Sequence, residues 1–310
     1  MFLDPIDSCG PGAVRSPCSE DVGSHGDRLA TMVKAAFPAL PLDGAVVDRS
    51  GGDHVLLIAD GRVFRFPREG MHDLALEVDV LRALQRRCAV PTPVYDHVDP
   101  AGRFAGYPFL DGVALTPSRF AALPPVQRDQ VLRSATLFLA ELHDLSPDAI
   151  APAERWPVCW TAARYAERGL AERLPVVARL LPAQADAIEA FYTRYERDFA
   201  PRRVVVHGDL VAEHVLLDDR SGMLAGIIDF GDVALGDPAQ DLLLFWNYGA
   251  DAARRALRLY DPGCADPGLQ ARSRNHFIRY RLDRLFEHGA RNGDFDRAQA
   301  AAEIDVLLTV

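Results

Sequence analysis

The sequence lacks the cysteine pattern of a disulfide-bonded or zinc-binding protein. Its five cysteines are odd in number and widely spaced, and no two of them form a C-x-x-C pair. They stand at Cys9, Cys18, Cys88, Cys159 and Cys264. A disulfide framework and a cysteine-based structural zinc site are therefore not expected.

Long apolar runs and an excess of basic charge are also missing. No stretch reaches the roughly 18 apolar residues that a membrane span needs, and the N-terminus carries Asp4 and Asp7 instead of a basic segment followed by an apolar run. The formal net charge of -10 argues against attraction to nucleic acid or anionic membranes and would suit a cationic partner. We expect a cytoplasmic protein, monomeric or homodimeric, with no nucleic-acid or membrane partner.

The chain is large enough for an enzyme. It has 310 residues, of which 49% are hydrophobic, so it can bury a full core in one domain or two lobes. Residues 1–26 mix Gly, Pro, Ser and Asp with few periodic apolar residues, and we expect a disordered tail there.

Strand and turn signals dominate the first hundred residues. After a helix over 27–37, the sequence predicts strands at 46–47, 55–58 and 63–66, joined by Gly51-Gly52 and Asp60-Gly61 turns. A helix over 74–86 and two strands within 94–110 follow. Later residues favour helices over 131–145 and 186–199, with strands expected only around His207, Val215 and Ile227. This order predicts an α+β fold.

Two apolar strand-like segments each lead an aspartate into a turn. Val204–Val206 precedes His207-Gly-Asp209, and Ile227-Ile228 precedes Asp229-Phe-Gly. In phosphoryl transfer to an alcohol, one carboxylate accepts or orients the hydroxyl, and others hold magnesium on the nucleotide. Asp209 suits the first role and Asp229 the second.

His214 follows Asp209 by five positions and could contact the same metal. Imidazole is a less usual magnesium ligand than an amide or carboxylate oxygen. Two other interpretations remain open here: ordinary tight turns at both aspartates, or a zinc site formed by His207, Asp209 and His214.

The N-terminal part carries a second group of candidates. Ser50, Gly51 and Gly52 lie between two predicted strands, where a flexible backbone could close over phosphates, although an ordinary hairpin turn has the same pattern. In kinase-like folds, a strand cation contacts the α- and β-phosphates and pairs with a helix glutamate. Arg65 and Glu77 are spaced for these roles, or for a surface ion pair.

Together these motifs resemble the aminoglycoside phosphotransferase family, whose signature is His-Gly-Asp, four residues, Asn, and then an Ile-Asp-Phe/Trp motif and Gly-Asp-Pro. The resemblance runs from about Val46 to the C-terminus, with His214 in place of the Asn and Arg65 where Lys is common. The His and the Asp-Phe-Gly-Asp form of the second motif look more like the 2″-aminoglycoside branch.

The resemblance implies a bilobal, protein-kinase-like α+β fold, with a nucleotide-binding lobe over 27–110 and a helical lobe over 111–310 that holds the catalytic loop and the acceptor site. It implies Asp209 as catalytic base, with Asp229 and His214 at the two positions that bind Mg²⁺. ATP or GTP would be the phosphate donor. Tyr107–Gly112 resembles the family's hinge, where backbone groups of Phe109 and Leu110 would face the nucleobase.

The Gly236-Asp237-Pro238 element also resembles the family. Its local pattern predicts that Asp237 caps a helix, with Pro238 at the first helical position and Gln240 completing a capping box. Asp241 is interpreted as a buried anchor for a loop.

Aminoglycosides are polycations, so acidic side chains should line the acceptor pocket. The candidates are Glu213, Asp232, Asp283 and Glu287. Four aromatic residues could stack on sugars or lie in the core: Trp156, Trp160, Trp246 and Tyr248. The sequence therefore predicts a kinase for an aminoglycoside hydroxyl. The alternatives are a macrolide kinase, a metabolic small-molecule kinase and a nucleotide-binding regulator without transfer activity.

Overall fold

The computed structural model describes residues 22–49, 54–68, 73–159, 162–195, 202–291 and 296–309. The chain divides into two compact units: unit 1 is Met1–Trp156 with Val211–Val233, and unit 2 is Pro157–Leu210 with Ala234–Val310. These units do not coincide with the predicted lobes, whose boundary near residue 110 stays a prediction.

Unit 1 contains a five-stranded antiparallel sheet in the order β1-β2-β3-β5-β4. Its strands are β1 (Val46–Asp48), β2 (His54–Ala59), β3 (Arg62–Pro67), β4 (His97–Val98) and β5 (Ala105–Pro108). As predicted, Asp60 and Gly61 join β2 to β3; both have positive φ, which matches the twist of a tight hairpin. This turn sets Leu56 opposite Arg65 and Leu57 opposite Phe64.

One face of this sheet forms a hydrophobic core with α1 (Val22–Ala36). The buried members are Leu29, Val33, Leu57, Phe64, Phe66 and Phe104. The helix begins five residues before the predicted start at 27, so the end of the predicted tail is helical. The rest of that tail, residues 1–21, lies outside the described residues.

The helix α2 (Leu74–Leu84) confirms the helix predicted over 74–86 and ends slightly earlier. Asp73 precedes it, and its Oδ1 accepts a hydrogen bond from the Leu76 N–H at 3.0 Å, which caps the first turn. Apolar residues at helical spacing, Leu74, Val78 and Leu81, are buried. The buried face also includes Glu77, the predicted partner of Arg65.

Two arginines fasten α2 within unit 1. Arg155 Nε donates to Asp73 Oδ2 at 3.0 Å, and its Nη1 donates to Asp79 Oδ2 at 3.3 Å. Just beyond the helix, Arg87 Nη2 donates to Asp144 Oδ2 at 2.5 Å. Burial would raise the pKa of Asp73, but hydrogen bonds from Arg155 and from the helix N-terminus outweigh it and lower that pKa.

The remainder of unit 1 comprises three helices and a three-stranded sheet in the order β6-β8-β9. The elements are β6 (Val113–Ala114), α3 (Pro117–Ala122), α4 (Pro125–His143), α5 (Pro147–Ile150), β8 (Val215–Asp218) and β9 (Met223–Ile227). The prediction of strands only around His207, Val215 and Ile227 is wrong for β6. That strand has two residues and forms by pairing with the distant β8, so it has no sequence pattern of its own.

The described part of unit 2 is mainly helical, with one antiparallel strand pair. Its elements are α6 (Ala162–Arg168), α7 (Leu174–Leu180), α8 (Ala185–Tyr195), β7 (Val204–Val206), β10 (Ala234–Gly236), α9 (Ala239–Leu242), α10 (Ala250–Tyr260), α11 (Leu269–Arg291) and α12 (Arg297–Thr309). β10 is a second strand that the sequence did not predict. Buried residues of α8, α11 and α12 share one core. Among the described helices, none combines the length and apolarity needed to cross a membrane.

Candidate functional site

Arg65 lies buried on β3 between two carboxylates of unit 1. Its Nη1 donates to Glu77 Oε1 at 3.0 Å, and its Nη2 donates to Asp229 Oδ1 at 2.7 Å. Burial alone would lower the pKa of Arg65, but electrostatic attraction, foremost to the charge of Glu77 and also to that of Asp229, outweighs burial and raises it. The Arg65–Glu77 pair is present as predicted. The alternative of a surface pair is wrong, because the two side chains are only 4% and 2% exposed.

Tyr95 supports Glu77 from the other side. Its hydroxyl donates to Glu77 Oε1 at 2.7 Å, and its ring packs edge-on against Tyr107 with centroids 5.1 Å apart. Burial, followed by the Glu77 charge, raises the pKa of Tyr95 well above its usual value, so the phenol keeps the proton that it donates. Sequence reasoning missed Tyr95, which precedes β4 in a segment without periodic pattern.

Asp229 lies at the end of β9 and connects the Arg65 cluster with His214. It adopts a left-handed conformation, with φ 68° and ψ 61°, which is uncommon for a residue other than glycine. Its Oδ2 is 3.5 Å from His214 Nε2. A backbone hydrogen bond of 3.0 Å from the Ile228 N–H to the His214 carbonyl joins the two turns.

The donor atoms of this turn fit a magnesium ion in part. Magnesium in phosphotransferases keeps several waters and is held by one or two carboxylates together with substrate phosphates. The Asp229 carboxylate is a ligand of this kind, whereas the His214 imidazole is a less usual one. Within the described ranges, no three His, Cys, Asp or Glu residues are grouped so that they could hold a metal ion.

The predicted hinge segment has a backbone contact with the β2–β3 hairpin. The Phe109 N–H donates to the Gly61 carbonyl at 2.7 Å, so this N–H is engaged within the chain. The Phe109 side chain is 50% exposed. Leu110 packs on β9, where a Cβ placed on Gly226 would lie 2.7 Å from Leu110 Cδ2. Glycine at 226 therefore allows the strand that leads to Asp229 to approach Leu110.

In unit 2, Asp209 follows β7 in a turn whose backbone is tightly held. The preceding His207 is fully buried, Gly208 has φ 88°, and Asp209 itself is exposed. Asp241 accepts hydrogen bonds from the His207 N–H at 2.7 Å and the Gly208 N–H at 3.1 Å. Asp241 is completely buried, which confirms its interpretation as a loop anchor.

The predicted capping box at α9 is wrong, because Gln240 is used elsewhere. Its Nε2 donates to the Gly208 carbonyl at 2.8 Å instead of reaching back to the helix start. Asp237 Oδ1 accepts from the Ala239 N–H at 3.0 Å, and Asp237 Oδ2 accepts from Arg272 Nε at 2.7 Å. Asp237 is therefore structural, as predicted, while Gln240 and Asp241 together hold the backbone next to Asp209.

Replacing Asp241 with Ala should lower both turnover and stability. Two buried N–H groups would lose their acceptor, and each unsatisfied donor costs about 1–3 kcal/mol. We expect kcat to fall at least about tenfold and the thermal midpoint to drop by several degrees, with Asn, which keeps one acceptor oxygen, in between. Asp251→Ala, which changes an exposed carboxylate of the same unit, is the control. An unchanged kcat in the Ala variant would contradict the anchoring role.

The predicted acidic residues of the acceptor site have different environments. Glu213 and Asp232 are half-buried in short 3₁₀ turns of unit 1. Asp283, on α11 of unit 2, accepts from Arg173 Nε at 3.2 Å and Arg279 Nη1 at 2.8 Å. Because two arginines match its charge, Asp283 does not offer an unpaired carboxylate to a cationic substrate. Glu287 is on α11, but its side chain lies outside the described residues.

Trp156 and Trp246 each have a hydrogen-bond partner within their own unit. Trp156 is 5% exposed, and its Nε1 donates to the Ala151 carbonyl at 3.2 Å, so it is a core residue. Trp246 Nε1 donates to Ser273 Oγ at 3.0 Å. Several predicted residues lie outside the described part of the chain: Ser50, Gly51, Gly52 and Trp160.

Solved structures show that the chain has the predicted bilobal, kinase-like α+β fold. A GDP and kanamycin complex of APH(2″)-IIIa aligns with a TM-score of 0.73 at 22% identity, covering 90% of this chain and 98% of that one. A macrolide 2′-phosphotransferase type I aligns with a TM-score of 0.61 at 21% identity, covering 93% and 98%. A model of the phosphotransferase enzyme family (APH) matches residues 47–272, and the chain belongs to this family.

Curated relatives match over short segments. Viomycin phosphotransferase from Streptomyces vinaceus is 41% identical over 71 residues, which are 22% of this chain and 24% of that protein. Aminoglycoside 3'-phosphotransferase from Escherichia coli is 43% identical over 49 residues, 16% of this chain and 17% of that protein. The chain thus spans a quarter or less of the length of these relatives. Matches of this length identify shared motifs and not a shared substrate.

Proposed function

We propose that this protein transfers the γ-phosphate of ATP or GTP to a hydroxyl group of an aminoglycoside antibiotic, which would confer resistance by O-phosphorylation. The observation that carries this proposal is the buried arginine of β3, which pairs with a helix glutamate and with the aspartate at the end of β9. In phosphotransferases of the kinase type, a strand cation paired with a helix glutamate holds the phosphates, and a nearby aspartate holds the metal. Membership of the phosphotransferase enzyme family supports it.

Each proposed role uses chemistry that the side chain can supply. Asp209, exposed in a turn with an anchored backbone, would accept or orient the substrate hydroxyl proton. Arg65 would contact the nucleotide phosphates, oriented by Glu77. Asp229 and His214 would hold Mg²⁺, which neutralises charge on the phosphates when it is bound. Ser50, Gly51 and Gly52 stay proposed phosphate contacts, and Phe109 and Leu110 would border the nucleobase.

A cationic acceptor fits the charge of the chain. The formal net charge is -10, and a cation is attracted over several ångströms by such an excess of carboxylates. Glu213, Asp232 and Glu287 remain the proposed acidic contacts, whereas Asp283 is removed from this group by its two arginine partners. The proteins similar to this chain include phosphotransferases named for aminoglycosides and for viomycin.

A macrolide is the second candidate acceptor. A macrolide 2′-phosphotransferase shares the fold over nearly its whole length, and the arginine-paired Asp283 makes this part of unit 2 less acidic than the sequence predicts. A macrolide kinase would use the same Asp209, Asp229 and Arg65. It would differ by an apolar acceptor pocket for the lactone ring.

One panel experiment tests the proposal. Purified protein with Mg²⁺ and either ATP or GTP is offered aminoglycosides, macrolides, viomycin and simple sugars, and nucleoside diphosphate release is measured. Release that depends on an aminoglycoside supports the proposed acceptor, and release only with a macrolide or a sugar replaces it. Magnesium-dependent nucleotide binding without turnover on any acceptor would instead indicate a regulatory protein.

The unusual His214 can be tested separately. We expect His214→Asn to retain or improve activity, because an amide oxygen is a better magnesium ligand than an imidazole nitrogen. The measurement is kcat and the apparent Mg²⁺ affinity at saturating nucleotide, with circular dichroism to verify folding. A folded but inactive variant would show that the imidazole performs a task that an amide cannot.

A further inference from the structure

Arg65 has a third protein partner, His54, to which sequence reasoning assigned no role. His54 Nδ1 is 3.0 Å from Arg65 Nη2, and His54 is only 6% exposed. A guanidinium N–H can only donate, so this ring nitrogen is the acceptor and carries no proton. The contact therefore fixes both the ring orientation and the tautomer of His54.

The position of His54 follows from the register of the β2–β3 hairpin. Leu56 is directly opposite Arg65, and His54, two residues earlier, points to the same face of the sheet. Diagonal neighbours of this kind are within reach of long side chains. The contact is thus part of the sheet geometry that the Asp60-Gly61 turn establishes.

The pair also packs against the turn that carries Asp229. A Cβ built on Gly231 would lie 2.9 Å from Arg65 Nη2 and 2.9 Å from His54 Cε1. Only a residue without a side chain leaves this space to the guanidinium and the imidazole. The hairpin and the Asp229 turn therefore meet around one arginine nitrogen, Nη2, which His54 and Asp229 share.

An arginine at this position needs more acceptors than a lysine would. The guanidinium is a planar fork with five N–H donors, whereas an ammonium is a compact charge with three. Nη1 is directed to Glu77 and Nη2 to Asp229 and His54. Among the described residues, the buried Nε has no hydrogen-bond partner. Losing His54 would thus remove an acceptor from a cation that already has one donor unsatisfied.

We propose that His54 is a positioning residue of the nucleotide-phosphate site: it holds the Arg65 guanidinium in the orientation that serves both Glu77 and Asp229, and so compensates for arginine in place of lysine. This inference rests on the proposed function, since it assigns Arg65 to the phosphates. His54 acts through Arg65 and does not touch the reacting atoms.

The test compares His54→Leu, which removes the acceptor, with His54→Gln, which offers an amide oxygen. Dissociation constants for Mg²⁺-ATP and Mg²⁺-GTP are measured by calorimetry. In addition, kcat is measured at saturating nucleotide. We expect His54→Leu to weaken binding of the preferred nucleotide about tenfold, with a smaller change in kcat, and His54→Gln to restore most of the affinity. Equal affinity in the wild type and His54→Leu would overturn the proposal.

A double-mutant cycle with Arg65→Lys distinguishes an effect of His54 through Arg65 from a loss of affinity that does not depend on Arg65. In the Arg65→Lys background, His54→Leu should change nucleotide affinity less than about twofold, because Glu77, Asp229 and a nucleotide phosphate oxygen already provide an acceptor for each of the three ammonium donors. A tenfold loss in both backgrounds would show that His54 does not act through Arg65. His97→Leu is the matched control, since His97 Nδ1 lies 3.3 Å from Arg62 Nη1 in the same sheet. An equal loss there would also overturn the proposal.

Histidine NMR and nucleotide binding by the wild type distinguish the remaining outcomes. ¹⁵N NMR of histidine-labelled wild type should show an unprotonated Nδ1 for His54, with a resonance that moves in Arg65→Lys; a protonated Nδ1 contradicts the proposed contact even if His54→Leu does not fold. If the wild type binds neither nucleotide, the proposed function itself fails. If it binds and all His54 variants bind equally well, only the role of His54 fails.

Discussion

Replacing Asp209 with Asn is expected to lower kcat about a hundredfold or more while nucleotide affinity stays nearly unchanged. The amide has the shape of the carboxylate but can neither accept a proton nor attract the substrate hydroxyl by charge. The backbone of the turn is held by Asp241 and Gln240, so the substitution should leave the loop in place. The measurements are steady-state turnover and calorimetric nucleotide binding.

A suitable control for Asp209 is Asp186→Asn, which neutralises an exposed carboxylate of α8 in the same unit. It should leave kcat within about twofold of the wild type, because surface substitutions away from a site have small effects. If Asp209→Asn turns over substrate as fast as this control, Asp209 is not part of the mechanism.

Asp229→Ala is expected to reduce the affinity for the magnesium–nucleotide complex by about a hundredfold or more. The substitution removes the proposed metal ligand and also takes an anionic partner from Arg65, which is only 3% exposed. Asp229→Asn keeps an oxygen that can accept from Arg65 and loses only the negative charge, so its affinity measures how much of the effect is due to that charge. Calorimetry measures the affinity for the nucleotide in the presence of Mg²⁺ and in its absence.

Asp96→Ala provides the comparison for Asp229. Asp96 pairs with Arg62 on the same strand, β3, through Arg62 Nη1 at 2.6 Å. Its loss should leave magnesium-dependent binding intact, because the pair is more exposed and belongs to no proposed ligand set. Unchanged affinity in both Asp229 variants would remove Asp229 from the metal site.

The elements that the sequence predicted have local physical signals. Asp60 and Gly61 supply the positive φ angles of a tight hairpin, and apolar residues at helical spacing mark α2 and α4. The Arg65–Glu77 pair was also predictable, because a kinase-like fold requires a strand cation opposite a helix glutamate. Local sequence thus predicted the hairpin and the helices, whereas the ion pair was predicted from the resemblance to kinase-like folds.

The features that were missed depend on partners far away in the chain. β6 and β10 are two and three residues long and become strands only by pairing with β8 and β7. The hydrogen-bonded residues Arg155 and Asp73 are 82 positions apart in the chain, and Gln240 and Gly208 are 32 positions apart. No periodicity indicates such contacts. His54 is different, because the register of the Asp60-Gly61 hairpin places it on the face of Arg65 and could have revealed it.

The contacts that fasten α2 hold Glu77 in its position. Arg155 binds Asp73 at the start of the helix that carries Glu77, and it binds Asp79 within that helix. Arg87, just after the end of this helix, binds Asp144. To swing outward, the helix would have to break both attachments and leave the buried Glu77 without its arginine. The position of Glu77 beside Arg65 is therefore maintained by contacts within unit 1 itself.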